Sequence, residues 1–430
     1  MTTWFVLAAF VAAYVLIATE RIHRVAAALG GAAAMVLLGV VDANTAFFSE
    51  DTGVDWNVIF LLLGMMVIVS IVKQTGVFEY LAIWSAKRAR GRPFAVMVML
   101  IVITAVASAL LVNVTTVLLV APVTLLVCAR LGVTPVPFLI AEAMASNIGG
   151  TATLIGDPPN IIIASRSGLG FNDFLVNLAP LIVVLVGVLV LLCRWMFRSV
   201  FVYDEKRAAR VMQLDEREVI KDKRLLVQCG IVLSLVMVGF IAHGALDIDP
   251  SLVALLGAGA LVAVSRTQPR EYLDEVEWLT LVFFMGLFVM VGALVEVGVV
   301  SSIGTRLADA VGDNYLLAGT GLIFGSAALS GIIDNIPYVA TLAPIVKDLV
   351  DAGGGSPQAT SLWWALALGS DLGGNATAVG ASANVVIIGI AARNGHPISF
   401  WHFTKYGVIV TAVTVTIAWG YFALRYVAFA

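Results

Sequence analysis

Long apolar runs alternate with short polar punctuation along the whole chain. The runs fall near 3–19, 25–41, 56–74, 94–111, 114–129, 136–165 and 174–197. A polar stretch from about Arg198 to Arg224 follows, and the runs resume near 225–245, 250–265, 277–299, 316–333, 338–350, 361–392 and 406–428. A bilayer-crossing helix takes roughly 20 mainly apolar residues, so the pattern predicts an all-α polytopic membrane protein. Two places depart from simple spans. The runs 94–111 and 114–129 are separated only by Val112 and Asn113, with Thr115 just beyond, which predicts a re-entrant hairpin with a polar tip at mid-membrane. The run 136–165 is too long for one straight span and is cut by Gly149, Gly150, Gly156, Pro158 and Pro159, which predicts a single discontinuous span.

The same punctuation recurs in the second half. Trp56, Gly64 and Gly76 fall on Trp278, Gly286 and Gly298 at a constant offset of 222, and NVTTVLLVAP from Asn113 falls on NIPYVATLAP from Asn335. SNIGGTATLIGDPPNIII from Ser146 aligns with SDLGGNATAVGASANVVI from Ser370 at an offset of 224, with eight of 18 positions identical. Chance apolar similarity would not preserve the Ser, Asn, Thr and glycine spacing. The reading is two membrane repeats, 1–197 and 225–430, joined by a linker, 198–224. Each repeat holds three spans, a re-entrant hairpin, a broken span and a final span, about 10 crossings in all. An odd number of crossings per repeat requires the second repeat to be inverted.

Charge then sets the expected orientation. Only 12% of the 430 residues are charged and the net charge is -3, against about a quarter charged in soluble domains. Mean hydropathy is +1.01. On this topology one side collects Arg21, Arg24, Lys87, Arg88, Arg90, Arg92, Arg130, the basic linker, Arg266, Arg270, Arg393 and Lys405, and the other only Arg166, Arg306, Lys347 and Arg425. The positive-inside rule places the linker in the cytoplasm, both termini outside it, and the protein in the inner (plasma) membrane. The linker, with DEKRAARVMQLDEREVIKDKR, reads as a surface amphipathic helix. The first run lacks a basic leader and a small-residue cleavage site and reads as a retained span. No basic, aromatic-interleaved patch suggests nucleic acid. Cys128, Cys193 and Cys229 share no CxxC spacing, so no thiol metal site and no cofactor is expected.

Irregular backbone at membrane depth is tolerated where it lines a cavity or is buried in protein. Two glycine-broken helices and two polar tips at matching places are the sequence mark of a transporter's binding site. The candidate substrate or ion ligands are Asn113, Thr115, Ser146, Asn147, Gly149, Gly150, Thr151, Thr153, Asp157 and Asn160 in the first half. In the second they are Asp334, Asn335, Ser370, Asp371, Gly373, Gly374, Asn375, Thr377 and Asn384, with Ser382 beside them. Asp157, Asp334 and Asp371 are intramembrane carboxyls that can ligate a cation or carry a proton; Glu142 stands one step outside. Neutral side-chain oxygens suit hard cations. The glycines alone would also serve close helix packing, and each carboxyl would also serve as a buried helix cap. HExxH, P-loop and G-x-S-x-G patterns are absent, which argues against an enzyme or an ATP-driven pump.

At NVTTVLLVAPV, ASNIGGTATLIGDPPNIIIAS, DNIPYVATLAPIV and GSDLGGNATAVGASANVVIIGIA the chain resembles the ion-transporter superfamily of secondary carriers, most closely its arsenite-permease (ArsB) and P-protein branch. The resemblance implies hairpins facing broken helices, elevator-like alternating access, a homodimer joined through the non-moving helices, and an arsenite ATPase subunit as a partner. The tips here read Val112-Asn113-Val114-Thr115 and Asp334-Asn335-Ile336-Pro337, where sodium–dicarboxylate relatives carry Ser-Asn-Thr. The resulting expectation is a secondary active transporter that extrudes arsenite or antimonite, coupled to protons or another ion gradient. The alternatives are a Na⁺/H⁺ antiporter, a carboxylate or anion carrier of the same superfamily, and an anion channel.

Overall fold

The computed structural model describes residues 2–428 except 20, 50, 51, 214 and 313. The first half runs α1 (Thr2–Thr19), α2 (Arg24–Leu37), α3 (Ala43–Phe48), α4 (Trp56–Gln74), α5 (Val77–Arg88), α6 (Pro93–Leu110), α7 (Asn113–Leu131), α8 (Val136–Gly150), α9 (Pro158–Ser167), α10 (Phe171–Asn177) and α11 (Ala179–Met196). After α12 (Glu205–Met212), the second half runs α13 (Lys223–Leu246), α14 (Pro250–Ser265), α15 (Pro269–Leu273), α16 (Trp278–Glu296), α17 (Val299–Val311), α18 (Tyr315–Ser330), α19 (Asn335–Ala352), α20 (Pro357–Gly373), α21 (Ser382–Arg393) and α22 (Phe400–Phe422). The described residues form no β-strand. Among the described residues seven helices are long and apolar enough to cross a membrane: α4, α6, α7, α11, α13, α16 and α22.

Both expected hairpin turns and both expected breaks lie where the punctuation puts them. α6 ends at Leu110 and α7 begins at Asn113; α18 ends at Ser330 and α19 begins at Asn335. Residues 151–157 interrupt α8 and α9, and residues 374–381 interrupt α20 and α21. Pro158 and Pro159 open α9 in the first turn, where a missing N–H costs nothing. Two short helices, α5 and α17, were not expected. Each follows a glycine in the left-handed region, Gly76 at φ 78° and Gly298 at φ 74°, which turns the chain sharply out of the preceding span. The linker is helical only over Glu205–Met212, less than the helix expected there.

Packing doubles along with the sequence. Within the first half α6 packs on α8 and α5 on α7; within the second α18 packs on α20 and α17 on α19. Between the halves the contacts are exchanged: α2 packs on α16 and α14 on α4. The crossing points are glycines. A Cβ on Gly64 would lie 2.8 Å from the Ala254 carbonyl carbon, and one on Gly286 would lie 2.9 Å from that of Ala28. α4 and α16 are buried along most of their length, while α11 and α13 expose most of theirs. An apolar helix with an exposed surface belongs against lipid, so α4 and α16 form the inner wall and α11 and α13 the rim.

The linker lies against one face of the bundle. The Lys221 N–H donates to the Thr75 carbonyl at 3.1 Å, Arg207 Nη1 donates to the Gly132 carbonyl at 2.8 Å, and Lys87 pairs with Glu216. The Lys87 ammonium holds the Glu216 carboxyl below the usual carboxylate range.

Candidate functional site

Four helix N-termini meet at the tips and breaks: those of α7, α9, α19 and α21. α9 packs against α19 and α21 against α7, so each broken helix meets the other half's hairpin.

Serines and threonines fasten each break to its own hairpin, and they do so twice. Ser108 Oγ donates to the Ser146 carbonyl at 2.6 Å, and Ser330 Oγ donates to that of Ser370 at 2.6 Å. Thr153 Oγ1 donates to the Ala109 carbonyl at 2.6 Å, and Thr377 Oγ1 to the Gly331 carbonyl at 2.6 Å. Asn160 Nδ2 bridges the carbonyls of Thr151 and Thr153 at 3.4 and 3.0 Å. Asn384 Nδ2 bridges those of Gly374 and Thr377 at 2.8 and 2.9 Å. The bonds to Thr151, Thr153, Gly374 and Thr377 reach carbonyls in or beside the breaks, and those to Ala109 and Gly331 reach carbonyls at the hairpin turns, where irregular backbone in the membrane needs partners from the protein. Ser146, Thr153, Thr377 and Ser370 therefore have their hydroxyls engaged on backbone; Ser146 Oγ donates to the Asn113 carbonyl at 2.9 Å, and Ser370 Oγ to that of Leu366 at 2.7 Å.

The glycines divide by position. A Cβ on Gly149 would lie 2.3 Å from the Ala105 carbonyl oxygen, and one on Gly373 would lie 2.6 Å from the Ala327 Cα. These two let the broken helix touch its hairpin. Gly150 and Gly374 instead lie against the backbone of Gly156 and Gly380 inside the breaks.

Inside this frame the remaining polar groups form two clusters, each mixing the halves. In the first, Asn113 Nδ2 donates to Asn147 Oδ1 at 3.3 Å, and Asn147 Nδ2 donates to Asn375 Oδ1 at 3.1 Å and Asn384 Oδ1 at 3.0 Å. In the second, Thr151 and Asn160 face the Asp371 carboxyl, and Asn335 Nδ2 lies 3.4 Å from Asp157 Oδ2. Asp157 is within electrostatic reach of Asp371 and Asp334. The offset of 224 carries Asn147 onto Asp371 and Asn160 onto Asn384. The first cluster is thus built of amides alone, and its counterpart contains two carboxyls. The side chains of Asn113, Asn147, Thr151, Asp157, Asn160, Asn335, Asp371, Asn375 and Asn384 are all buried. Asp371 Oδ2 and Asn160 Oδ1 are buried acceptors without a hydrogen-bond partner among the described residues.

Two predicted residues stand apart. Thr115 faces Glu277, at the start of α16. Asp334 is half-buried and caps α19, accepting from the Ile336 N–H at 3.1 Å. It also accepts from Ser382 Oγ at 2.7 Å and faces Arg24 Nη1 at 3.5 Å. Arg24, counted in the sequence only as an orientation charge, is the site residue that sequence reasoning missed. Glu142 lies outside both clusters, buried, with Thr124 Oγ1 donating to it. A cavity of about 320 Å³ opens between α4, α9, α13 and α14, and none of the predicted site residues lines it.

The comparisons with known proteins agree with this architecture. The family model described as citrate transporter, CitMHS, matches residues 14–369. The chain belongs to that family. An uncharacterized transporter of Mycobacterium tuberculosis (strain ATCC 25618 / H37Rv) is 58% identical over 418 residues, 97% of each chain. The P protein of Sus scrofa is 33% identical over 96% of this chain and 58% of its own length. Among solved structures, the YdaH transporter of Alcanivorax borkumensis superposes with a TM-score of 0.60 at 14% identity, over 98% of this chain and 97% of that one. MtrF of Neisseria gonorrhoeae superposes with a TM-score of 0.61 at 12% identity, over 99% and 95%. At such identities the two structures share the fold, and the family makes this chain a membrane transporter.

Proposed function

We propose that the protein is a secondary active transporter with elevator-like access, in which Asp157 and Asp371 take up the coupling proton or cation. The hairpins and broken helices move as one body against α1, α2, α4, α13, α14 and α16. The supporting observation is the replacement of an amide by a carboxyl between equivalent clusters, with Asp371 Oδ2 and Asn160 Oδ1 left as unpartnered buried acceptors. A buried carboxylate with only neutral donors around it and no cationic partner costs several kcal/mol, so a proton or a cation belongs there. The all-amide cluster at Asn113, Asn147, Asn375 and Asn384 then offers neutral hydrogen bonds to the cargo.

For the cargo we favour a small carboxylate, following the family's description. Arsenite or antimonite efflux is the second reading, since amides also suit the hydroxyls of neutral arsenous acid; the arsenite ATPase partner belongs to that reading alone. The inverted arrangement of the repeats 1–197 and 225–430, the cytoplasmic linker, the outward termini and the homodimer are parts of the same proposal; residue 1 and residues 429–430 lie outside the described residues. The test is flux into proteoliposomes with citrate, arsenite and Na⁺ as probes and an internal pH dye. Uphill movement of citrate or arsenite driven by an imposed proton or sodium gradient is expected. Purely downhill flux of every probe would favour a channel and sink the proposal.

A further inference from the structure

Arg24 joins a helix of the first half to the hairpin tip of the second. It opens α2, whose other contacts are with α1 and α16. Its Nη1 donates to Ser382 Oγ at 2.8 Å and lies 3.5 Å from Asp334 Oδ2. Ser382 Oγ in turn donates to Asp334 Oδ2 at 2.7 Å. The guanidinium also sits 5.5 Å from the centre of the Phe283 ring on α16, which fixes its approach. Among the described residues the first hairpin tip has no such ion pair, its Thr115 facing Glu277 at the start of α16 instead. Its residue at the Asp334 position is Val112, and the α14 residue matching Arg24 across the two glycine crossings is Pro250.

A second contact runs in parallel. The Tyr14 hydroxyl of α1 donates to the Pro337 carbonyl and lies 2.5 Å from Thr341 Oγ1, both on α19. Tyr14, Glu277 and Asp157 are the other titratable groups that face the Arg24 and Asp334 pair. Arg24 is about a third exposed and Asp334 about a fifth, so solvent and its ions reach the pair.

We propose that Arg24 is a positioning residue of the transport cycle: it holds the second hairpin tip to α2 through Asp334, and the tip moves only when that pair is broken. Asp334 would otherwise travel as an uncompensated carboxylate at membrane depth, which is costly. A fixed cation on α2 compensates it in this conformation and not after the tip has moved away. An empty carrier is therefore held, and a cation that takes Arg24's place on Asp334 frees it. The proposal rests on the alternating-access reading above, because the tip must move relative to α2.

The test is hydrogen exchange of the full chain in lipid nanodiscs, without cargo, read by mass spectrometry over residues 331–341. R24Q and D334N should each raise exchange in this segment about fivefold, the scale of a partly exposed ion pair. The double variant should exceed neither single one, since both remove one contact. Residues 111–117, at the other tip, should exchange as in the wild type. Unchanged exchange in R24Q or D334N, additive effects in the double variant, or a rise spread over the whole chain would overturn the proposal. If R24Q does not fold, D334N decides alone: a rise confined to residues 331–341 supports the proposal, and no rise or one spread over the whole chain overturns it. Because no cargo is present, failure of citrate and arsenite flux would count against the transport reading alone.

Discussion

Asn147 and Asp371 occupy equivalent positions of the two broken helices, each two residues before the first glycine of a Gly-Gly pair. Asn147 spends its amide on Asn375 and Asn384 of the other half. Asp371 faces Thr151 and Asn160 of the other half and keeps Oδ2 unpartnered among the described residues. Repeated backbone geometry has been given different chemistry at its two copies. Asp371→Asn should therefore abolish gradient-driven flux while stabilising the fold by about 1–3 kcal/mol, because an amide there no longer leaves a buried charge uncompensated. Opposite signs in flux and in melting temperature are the expected outcome. Gradient-driven accumulation at the wild-type rate would remove Asp371 from the coupling step.

Gly149→Ala and Gly373→Ala should each destabilise by about 1–3 kcal/mol through overpacking. The added methyl meets backbone, at Ala105 in one case and Ala327 in the other, and backbone cannot rotate aside. Gly187→Ala in α11 meets nothing within 4 Å and should be neutral or slightly stabilising. Thermal unfolding in detergent would compare the three, and equal melting temperatures would show that the broken helices tolerate a wider spacing.

The parts of this molecule legible in the sequence are those that repeat. Glycine and asparagine at fixed spacing have no reason to recur in two apolar runs unless the backbone needs them, and both breaks and both tips lie at such residues. α5 and α17 escaped because each is a short helix behind a glycine turn, with no apolar run of spanning length. The site was half legible. The pattern named the residues of both clusters, but it did not separate Ser146, Thr153, Ser370 and Thr377, whose hydroxyls fasten backbone, from the Asn and Asp side chains that face one another. Arg24 was hidden for a different reason. Its role comes from α2 packing on α16 of the other half, and an exchange of partners between repeats leaves no local mark.

Asn160→Ala and Asn384→Ala test whether the clamps on the breaks are equal. Each removes an amide that bridges two carbonyls. Freed buried carbonyls cost about 1–3 kcal/mol each. Asn384 also accepts from Asn147 at 3.0 Å, and Asn160 Oδ1 has no partner among the described residues. Asn384→Ala should accordingly lower the melting temperature more than Asn160→Ala. Asn160→Ala should weaken coupling more, since its free oxygen belongs to the cluster with the carboxyls. Equal losses of stability and of coupling in the two variants would mean that the clusters do not divide these tasks.

The linker gives a prediction with a definite pH sign. Lys87 holds the Glu216 carboxyl below the usual carboxylate range. A group whose pKa is depressed on docking contributes stabilisation that is present above its undocked pKa and lost as pH falls through the docked one. The tie should therefore be fully formed at neutral pH and released only as pH falls below the usual carboxylate range. Glu216→Gln should expose residues 213–222 to trypsin at pH 7, where the wild-type linker stays anchored through Lys221 to Thr75 and through Arg207 to Gly132. Hydrogen exchange of the same segment at about pH 3 should make wild type and variant alike, since protonation removes the charge that the substitution removes. Equal protection of wild type and variant at pH 7 would assign the anchoring to the contacts on the Thr75 and Gly132 carbonyls, and Glu216 would then serve only as a solvated charge near Lys87.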